Sequence, residues 1–356
     1  KIYNKNKTLY ICIEMISFRV LFILASLFIF SLGSIQLSSE GFQIDDKPIV
    51  FHGVNAIVKG SPWMPSTVSF DPWTSLTRED FQMLQDANIN MIRLGIMWPG
   101  VQPDSPHQYS STYLENIKNI SRIAYEYGIY TLLDLHQDVL SDRTCGEGVP
   151  SWFPLYLDGF PRPLTIKPYK SQDECSRKPW MEYHMSLAVA VGFEYLYQNP
   201  ETFYELWEYI AHYFLGEQQI LGFELINEPW CGNHYSNPAL LIPQVANRRL
   251  LDFYVRAILR ILAVDPNRLV FIEPVTWSDI STGWKSIPME IKNNTVISFH
   301  YYTNINPPFS FHLAHYQAEG RRLGVPIFLT EFDYSTFAEV SSHSKTEGLS
   351  WTLWEY

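Results

Sequence analysis

The stretch Gly222–Gly232, with the sequence GFELINEPWCG, contains the pattern on which the fold prediction rests. Its apolar residues, together with Ile220 and Leu221, form a run that is typical of a β-strand buried on both faces. The run stops at Asn227-Glu228-Pro229, and because proline cannot donate to a sheet ladder, we predict that the strand ends there. Glu228 then lies at the end of a buried strand, where apolar surroundings raise the pKa of a carboxyl group and keep it protonated near neutral pH.

A second stretch of the same kind is Val325–Tyr334, VPIFLTEFDY, which places Glu331 at the end of another predicted strand. A single glutamate at a strand end could simply cap the helix that follows. Two such glutamates in one fold indicate instead a pair of carboxyl groups that act together.

Short apolar runs alternate with helix-like stretches from Ile49 onward, which predicts strands joined by helices. The predicted strands are Ile49–Ile57, Asn90–Trp98, Tyr130–His136, the run before Glu228, Leu269–Pro274, Val296–Tyr302, Ile327–Phe332 and Ser350–Tyr356. This number of strands predicts an α/β fold, the (β/α)₈ TIM barrel. The alternative, an open doubly wound sheet, predicts a Gly-rich phosphate turn after the first strand, and the sequence has none there.

The connecting segments include predicted helices and one long insertion. Helices are predicted from about Thr77, over Ser111–Tyr127, around Ser186–Tyr213, over Gln244–Val264 and near Ser310–Leu323. The insertion, Gln137–Met185, is rich in proline and aromatic residues, which indicates either a functional loop or a lid packed on the barrel exterior. Only 20 residues separate Glu331 from Trp351 (351 − 331), which is tight for a helix and its two loops.

The composition restricts the classes of partner. The formal net charge of −11 at pH 7, without a basic stripe, argues against a nucleic-acid partner. No cluster of His, Asp and Glu shows the spacing of metal ligands, so we predict neither a metal nor a cofactor.

The N-terminal region predicts a secreted or lysosomal protein. The apolar run Val20–Phe30 follows a basic residue and precedes small residues, which is typical of a signal peptide; a signal anchor is the alternative. Met15 is the expected start. We therefore predict a leader and signal peptide over residues 1–40 and a catalytic domain over residues 41–356.

Three cysteines follow the predicted signal peptide: Cys145, Cys175 and Cys231. In an oxidising compartment two of them could pair and one would stay free. We favour Cys145 with Cys175, because both lie in the long insertion.

In a barrel of this kind the active site lies at the carboxyl ends of the strands. The residues at the predicted strand ends are mostly polar, titratable or aromatic, which core packing does not require. They are Asn55, Lys59, Arg93, His136, Asp138, Asn227, Glu228, Glu273, His300, Tyr302, Glu331, Trp351 and Trp354.

Two of these residues predict glycoside hydrolysis, a reaction that needs two opposed carboxyl groups. Glu228 and Glu331 are the predicted catalytic pair, with Asn227 placed to bond a sugar hydroxyl. Arg93 and Tyr302 would keep Glu331 ionised and oriented as a nucleophile. Trp354 would offer a flat apolar face to a sugar ring.

These motifs carry a resemblance to a known family. Asn227-Glu228-Pro229, His300-x-Tyr302 and Glu331, with Arg93, His136 and the terminal Trp354, resemble glycoside hydrolase family 5. The resemblance implies that Glu228 is the acid/base, that Glu331 is the nucleophile and that the anomeric configuration is retained.

Further motifs are similar to those of endoglycoceramidase-like members of the family. They are GVNAIVK (Gly53–Lys59), DLHQD (Asp134–Asp138) and CGEGVPSW (Cys145–Trp152). The likeness implies cleavage between oligosaccharide and ceramide, with Lys59 and Asp138 contacting the sugar nearest the lipid. His136 and His300 are the remaining predicted substrate-binding residues. Peripheral contact with membrane lipid follows from such a substrate, and we expect the chain to be truncated before the last helix and any C-terminal β-sandwich.

Two alternatives to this function are carried forward. The same chemistry could act on glucosylceramide, a steryl glucoside or a β-glucan. A protein of another class, an inactive barrel that binds carbohydrate or lipid, is the second alternative, and the intact pair Glu228 and Glu331 argues against it.

Overall fold

A computed structural model describes residues 35–38, 41–72, 74–154, 175, 180–277 and 281–356. Its strands are β1 (Ile35–Ser38), β2 (Gly41–Ile44), β3 (Lys47–Ile49), β4 (His52–Ala56), β5 (Met91–Gly95), β6 (Tyr130–Asp134), β7 (Ile220–Glu224), β8 (Leu269–Ile272), β9 (Thr295–Tyr301), β10 (Ile327–Phe332) and β11 (Trp351–Leu353). Its helices are α1 (Arg78–Asp86), α2 (Trp98–Val101), α3 (Ser111–Glu126), α4 (Trp180–His184), α5 (Leu187–Gln198), α6 (Glu201–Tyr213), α7 (Pro243–Val264), α8 (Met289–Lys292), α9 (Phe309–Leu323) and α10 (Phe337–Glu347). Among the helices described, none has both the length and the apolar character needed to cross a membrane.

The strands β4 to β11 form a closed parallel barrel, which confirms the predicted (β/α)₈ fold. Each strand pairs with the next in the chain, and β11 pairs with both β10 and β4. The barrel therefore closes within this chain. Because all eight strands run in the same direction, their carboxyl ends meet at one end of the barrel.

A small antiparallel sheet of β1, β2 and β3 covers the opposite end of the barrel, and the sequence analysis did not predict it. Phe42 of this sheet packs against Phe51, Phe271 and Phe328, with ring centroids 5.3, 6.2 and 5.8 Å away. Strands of three or four residues are too short for an alternating pattern to stand out. The sheet and these aromatic contacts thus close the amino-terminal end of the barrel with apolar side chains.

The pairing of β1 with β2 bears on the N-terminal region. The described residues include β1, which begins at Ile35, on the leader side of the boundary predicted at residue 41. The predicted signal peptide, Val20–Phe30, lies outside the described residues, and so does the predicted start at Met15.

The predicted helices are present, with one break. The stretch Ser186–Tyr213 forms two helices, α5 and α6, which are separated at Asn199-Pro200 because proline is poorly accommodated inside a helix. Thr77 caps α1 through a reciprocal pair of hydrogen bonds with Asp80. The segment between Glu331 and Trp351 does contain a helix, α10.

The loops that follow β6 and β7 begin earlier than predicted. β7 ends at Glu224 rather than at Pro229, and β6 ends at Asp134 rather than at His136. The N–H of Leu225 still donates to Phe271 of β8, but that of Asn227 donates to Leu135 beyond β6. This change of partner ends the ladder, so Glu228 lies in a loop above the strand.

The insertion is anchored by a disulfide between Cys145 and Cys175, which confirms the predicted pairing, and Cys231 is a buried free thiol. Within it, Trp152 donates to the carbonyl of Gln102 (2.8 Å), in the connection after β5. The described part of the insertion also reaches the carboxyl end of the barrel, where Asp138 and Met181 line a cavity, which favours a functional loop. The aromatic residues Tyr156 and Phe160 lie outside the described residues.

Candidate active site

A cavity of about 330 Å³ lies at the carboxyl ends of the barrel strands. Seven of the ten predicted site residues line it: Lys59, Asp138, Glu228, His300, Tyr302, Glu331 and Trp354. The other three, Arg93, His136 and Asn227, are buried directly behind these side chains. The fold therefore brings all ten together, although they are spread over nearly 300 positions of the sequence.

The two predicted catalytic glutamates face each other across this cavity. A carboxylate oxygen of Glu228, one of Glu331 and a ring nitrogen of His300 all lie within 4.8 Å of one another. Glu331 belongs to strand β10, whereas Glu228 belongs to the loop after β7. Two carboxyl groups at this distance can act on one small group between them.

Arg93 is the fully buried centre of the hydrogen-bond network beneath the cavity. Its guanidinium donates to Glu224 (2.6 Å) and Glu331 (2.9 Å) and lies 3.1 Å from Asp134. Two amide side chains, those of Asn55 and Asn227, accept further hydrogen bonds at 2.8 and 2.7 Å. Burial disfavours the charge, but Asp134, Glu224 and Glu331 outweigh this effect and raise the pKa of Arg93.

Glu331 is held at both carboxylate oxygens. Oε1 accepts from Arg93, and Oε2 accepts from the hydroxyl of Tyr302 at 2.8 Å. Burial and the nearby Glu331 raise the pKa of Tyr302, so that its hydroxyl remains a donor. Both hydrogen bonds stabilise negative charge on Glu331 and fix the direction of its carboxylate.

Glu228 has a strained backbone that neighbouring side chains hold on both sides. Its φ of +40° is in the left-handed region, which costs a non-glycine residue about 1–3 kcal/mol. The N–H of Glu228 donates to Glu273 Oε2 (2.7 Å), and its carbonyl accepts from Gln137 Nε2 (2.9 Å). Burial raises the pKa of the Glu228 carboxyl, against the opposing effect of a hydrogen bond with His300.

His300 lies among three carboxyl groups. Its Nδ1 is 2.9 Å from Glu228, 3.4 Å from Glu331 and 3.6 Å from Glu273. Burial alone would lower the pKa of His300, but Glu273, Glu331 and Glu228 together raise it to about 10. A protonated ring at this position reduces the repulsion between the neighbouring carboxyl groups.

A second cluster forms the opposite wall of the cavity. Lys59 bonds to Asp138, lies 3.3 Å from Glu147 and sits 4.7 Å above the ring of Trp354. The ring of His136 is stacked on Trp354, with centroids 5.6 Å apart. Burial would lower the pKa of His136, but Asp134 and Asp138 raise it to about 9. This wall therefore presents charged hydrogen-bonding groups next to an aromatic face.

The side chain of Asn227 bonds to other parts of the protein, whereas the sequence predicted a bond to a sugar hydroxyl. Its Oδ1 accepts from Arg93, and its Nδ2 donates to the carbonyl of Gln137 at 3.0 Å. The side chain thus connects the loop of Glu228 to Arg93 and to the loop after β6. Contact with a sugar hydroxyl stays a prediction for Asn227.

Several residues of the network were missed or left without a role by the sequence analysis. They are Asp134, Gln137, Glu147, Glu224 and Glu273. A signal was available for two of them, because Asp134 and Glu224 are acids within otherwise apolar strand sequences. Such a residue is expected to be paired with a buried cation.

Carboxylates and imidazoles meet here at distances that also suit a metal ion, which sequence spacing did not indicate. One such set is His136, Asp138 and Glu147, and another is Glu228, His300 and Glu331. In the first set, Lys59 already supplies positive charge to both carboxylates. That the protein uses neither a metal nor a cofactor stays a prediction.

Comparison with known proteins agrees with the family indicated by the sequence motifs. The model of the family Cellulase (glycosyl hydrolase family 5) matches residues 45–356. An endoglycoceramidase of Cyanea nozakii is 36% identical over 332 residues, which cover 86% of this chain and 65% of that protein. An endoglycoceramidase of Hydra vulgaris is 34% identical over 333 residues, covering 86% of this chain and 63% of that protein. The chain thus spans less than two thirds of the length of these relatives.

The fold comparison gives the same architecture. Endo-glycoceramidase II from Rhodococcus sp., solved as a ganglioside GM3 complex, matches with a TM-score of 0.67 at 21% identity, over 86% of this chain and 74% of that one. At this identity the likeness shows a shared barrel. Since the family model extends from the turn before β3 through the last strand and covers both Glu228 and Glu331, this chain belongs to glycosyl hydrolase family 5.

Proposed function

We propose that this protein is a retaining β-glycosidase that hydrolyses the bond between oligosaccharide and ceramide in glycosphingolipids. The observation that carries the proposal is the approach of Glu228 and Glu331 to within 4.8 Å at one cavity. Retaining glycosidases hold their two carboxyl groups about 5–5.5 Å apart, whereas inverting enzymes leave about 6.5–9.5 Å for a water molecule. The short distance between Glu228 and Glu331 therefore favours a reaction that retains the anomeric configuration.

The surroundings of each glutamate support its role. Glu228 is buried, and burial raises its pKa, as a proton donor requires. Glu331 receives hydrogen bonds from Arg93 and Tyr302, which suit a nucleophilic carboxylate.

The reaction then proceeds in two displacements. Glu331 attacks the anomeric carbon while Glu228 gives its proton to the glycosidic oxygen, so the C–O bond breaks and ceramide leaves as an alcohol. Glu228 next takes a proton from a water molecule as this water attacks the anomeric carbon, and the bond from that carbon to the Glu331 oxygen breaks. The sugar leaves with its original configuration, and both carboxyl groups return to their starting states.

The two walls of the cavity support a substrate that is polar at one end and apolar at the other. Lys59, Asp138 and Trp354 lie on one side, and Val275, Trp277 and Ile305 lie on another. Burying alkyl surface against such a wall is worth about 25 cal/mol per Å². The endoglycoceramidase relatives from Cyanea nozakii and Hydra vulgaris support the choice of ceramide.

An exposed apolar surface adjoins the side of the cavity formed by Val275, Trp277 and Ile305. Met185, Tyr235, Leu241 and Ile242 are each 43–51% exposed, and we call them the apolar rim. Tyr235 donates to the carbonyl of Met185, and Trp277, which lines the cavity, donates to that of Leu241 at 3.4 Å. We propose that the apolar rim touches the lipid surface that presents the substrate.

The direct test is to incubate the protein with a ganglioside and identify both products. We expect intact oligosaccharide and ceramide, with the β-anomer formed first in the NMR spectrum. Release of single glucose from glucosylceramide, with gangliosides untouched, would favour the glucosylceramidase alternative. Binding of glycolipid without any hydrolysis would favour the inactive barrel.

The same assay tests the apolar rim when ganglioside is presented in vesicles or in detergent micelles. An aliphatic side chain contributes about 1.5–3 kcal/mol when buried, so Ile242→Asp is expected to lower the vesicle rate by about tenfold. The rate in micelles should stay unchanged. Leu215→Asp is the control, since Leu215 is similarly exposed (53%) at the other end of the barrel. Equal effects of both variants on vesicles would contradict membrane contact through the rim.

We also propose that the protein is secreted or lysosomal. The disulfide between Cys145 and Cys175 supports this, because such bonds persist in oxidising compartments. Immunoblots of medium, lysosomal and cytosolic fractions from expressing cells would test it, and recovery in the cytosol alone would contradict it.

A further inference from the structure

Glu273 is a buried carboxyl group at the cavity that the proposed mechanism does not use. It follows strand β8 directly and is only 3% exposed. Its Oε2 accepts the backbone N–H of Glu228 at 2.7 Å, and its Oε1 is 3.6 Å from His300 Nδ1. The polar atoms of Glu273 are thus directed at the loop that carries Glu228.

The hydrogen bond to Glu228 matters because of the backbone conformation at that residue. With φ at +40°, Glu228 is in a conformation that non-glycine residues rarely adopt, and surrounding contacts must maintain it. Relaxation of this angle would turn the Cα–Cβ bond and move the carboxyl group away from Glu331. The N–H of Glu228 therefore needs a fixed acceptor.

Glu273 is itself anchored by the long helix α7. The hydroxyl of Tyr254 donates to the Glu273 carbonyl at 2.8 Å, and the N–H of Val275 donates to Asn247 Oδ1 at 2.7 Å. Tyr254 and Asn247 both lie on α7 and are fully buried. This support on both sides makes Glu273 a rigid acceptor.

We propose that Glu273 is a positioning residue, which holds the backbone of Glu228 so that the acid/base carboxyl points at the leaving oxygen. The inference rests on the proposed role of Glu228 as acid/base. Glu273 acts through its acceptor oxygen, and negative charge is not required. Burial raises the pKa of Glu273 well above its usual value, against the opposing effect of the nearby His300.

The experiment compares Glu273→Ala and Glu273→Gln on two substrates that carry the same glycan. One is the ceramide glycoside, whose leaving group needs a proton, and the other is a 2,4-dinitrophenyl β-glycoside, whose leaving group does not. General acid catalysis contributes about 10²–10⁴-fold, and small misplacements cost about 10²-fold. For Glu273→Ala we expect kcat/KM on the ceramide glycoside to fall about 10²-fold and that on the dinitrophenyl glycoside to fall less than about threefold. Glu273→Gln should stay within about threefold of wild type on both, because its amide oxygen accepts the same hydrogen bond.

A matched control is Glu319→Ala on helix α9. Glu319 is also buried, and its Oε2 accepts the backbone N–H of Thr282 at 3.1 Å, outside the cavity. Its loss should leave the ratio of the two kcat/KM values at the wild-type level, even if stability falls.

Two results would overturn the inference while leaving the proposed function intact. One is an equal loss on both substrates in Glu273→Ala, and the other is a Glu273→Gln variant as impaired as Glu273→Ala. Failure of the proposed function would look different, since the wild-type protein would then hydrolyse neither substrate.

Discussion

Glu331→Gln is expected to lower kcat on a glycosphingolipid by about 10⁴–10⁶-fold, the range seen when an enzyme loses its nucleophile. An amide cannot form the glycosyl ester through which the retaining reaction passes. The fold should persist, because the side-chain oxygen of glutamine can still accept from Arg93 or Tyr302. Activity measured with the ganglioside, alongside the thermal unfolding midpoint, separates loss of chemistry from loss of structure.

Binding provides the second readout for this variant. We expect Glu331→Gln to bind the ganglioside without hydrolysing it, because the cavity walls are unchanged. Its Kd should lie within about tenfold of the Kd that the wild-type protein shows for a non-hydrolysable analogue of the substrate. Glu319→Gln is the control, since it neutralises a buried glutamate on α9 that does not line the cavity. A Glu331→Gln enzyme that hydrolyses ganglioside at the wild-type rate would exclude Glu331 as the nucleophile.

The sequence was most informative where a polar residue interrupts or ends an apolar strand. Glu228 and Glu331 could be found in this way, and the barrel then required their side chains to meet at one end. Lys59 and Asp138 were found at strand ends in the same way, and the resemblance to a family added their predicted contact with the sugar; the structure joins them in an ion pair. The longer strands and helices could also be predicted, because their apolar residues recur with a clear period.

What the sequence did not predict depends on contacts between distant segments. The sheet β1–β3 is made of very short strands, and it is recognisable only through the packing of Phe42 in the barrel end. β7 ends early because the backbone N–H of Asn227 donates to the carbonyl of Leu135 and not to β8, and no local sequence pattern reveals this partner. Likewise, Gln137 and Glu273 acquire their roles only because they meet the peptide groups of Glu228.

Substitution of Arg93 is expected to have the largest effect on the stability of the fold. Arg93 is fully buried and compensates the charge of Asp134, Glu224 and Glu331, its partners within 3.1 Å. Removal of one partner from a buried ionic group costs about 3–5 kcal/mol, because the remaining charges stay buried without compensation. We therefore expect Arg93→Met to lower the free energy of unfolding by at least this amount, as measured by urea denaturation followed by tryptophan fluorescence.

Arg260→Met offers a close comparison, since Arg260 also contacts two carboxylates, Glu201 and Glu208, but lies at the surface. Exposed ion pairs contribute about 0–1 kcal/mol, so this variant should unfold close to wild type. If Arg93→Met and Arg260→Met were equally stable, the buried network would have no special part in the fold, and the orientation of Glu331 would need another explanation than its bond to Arg93.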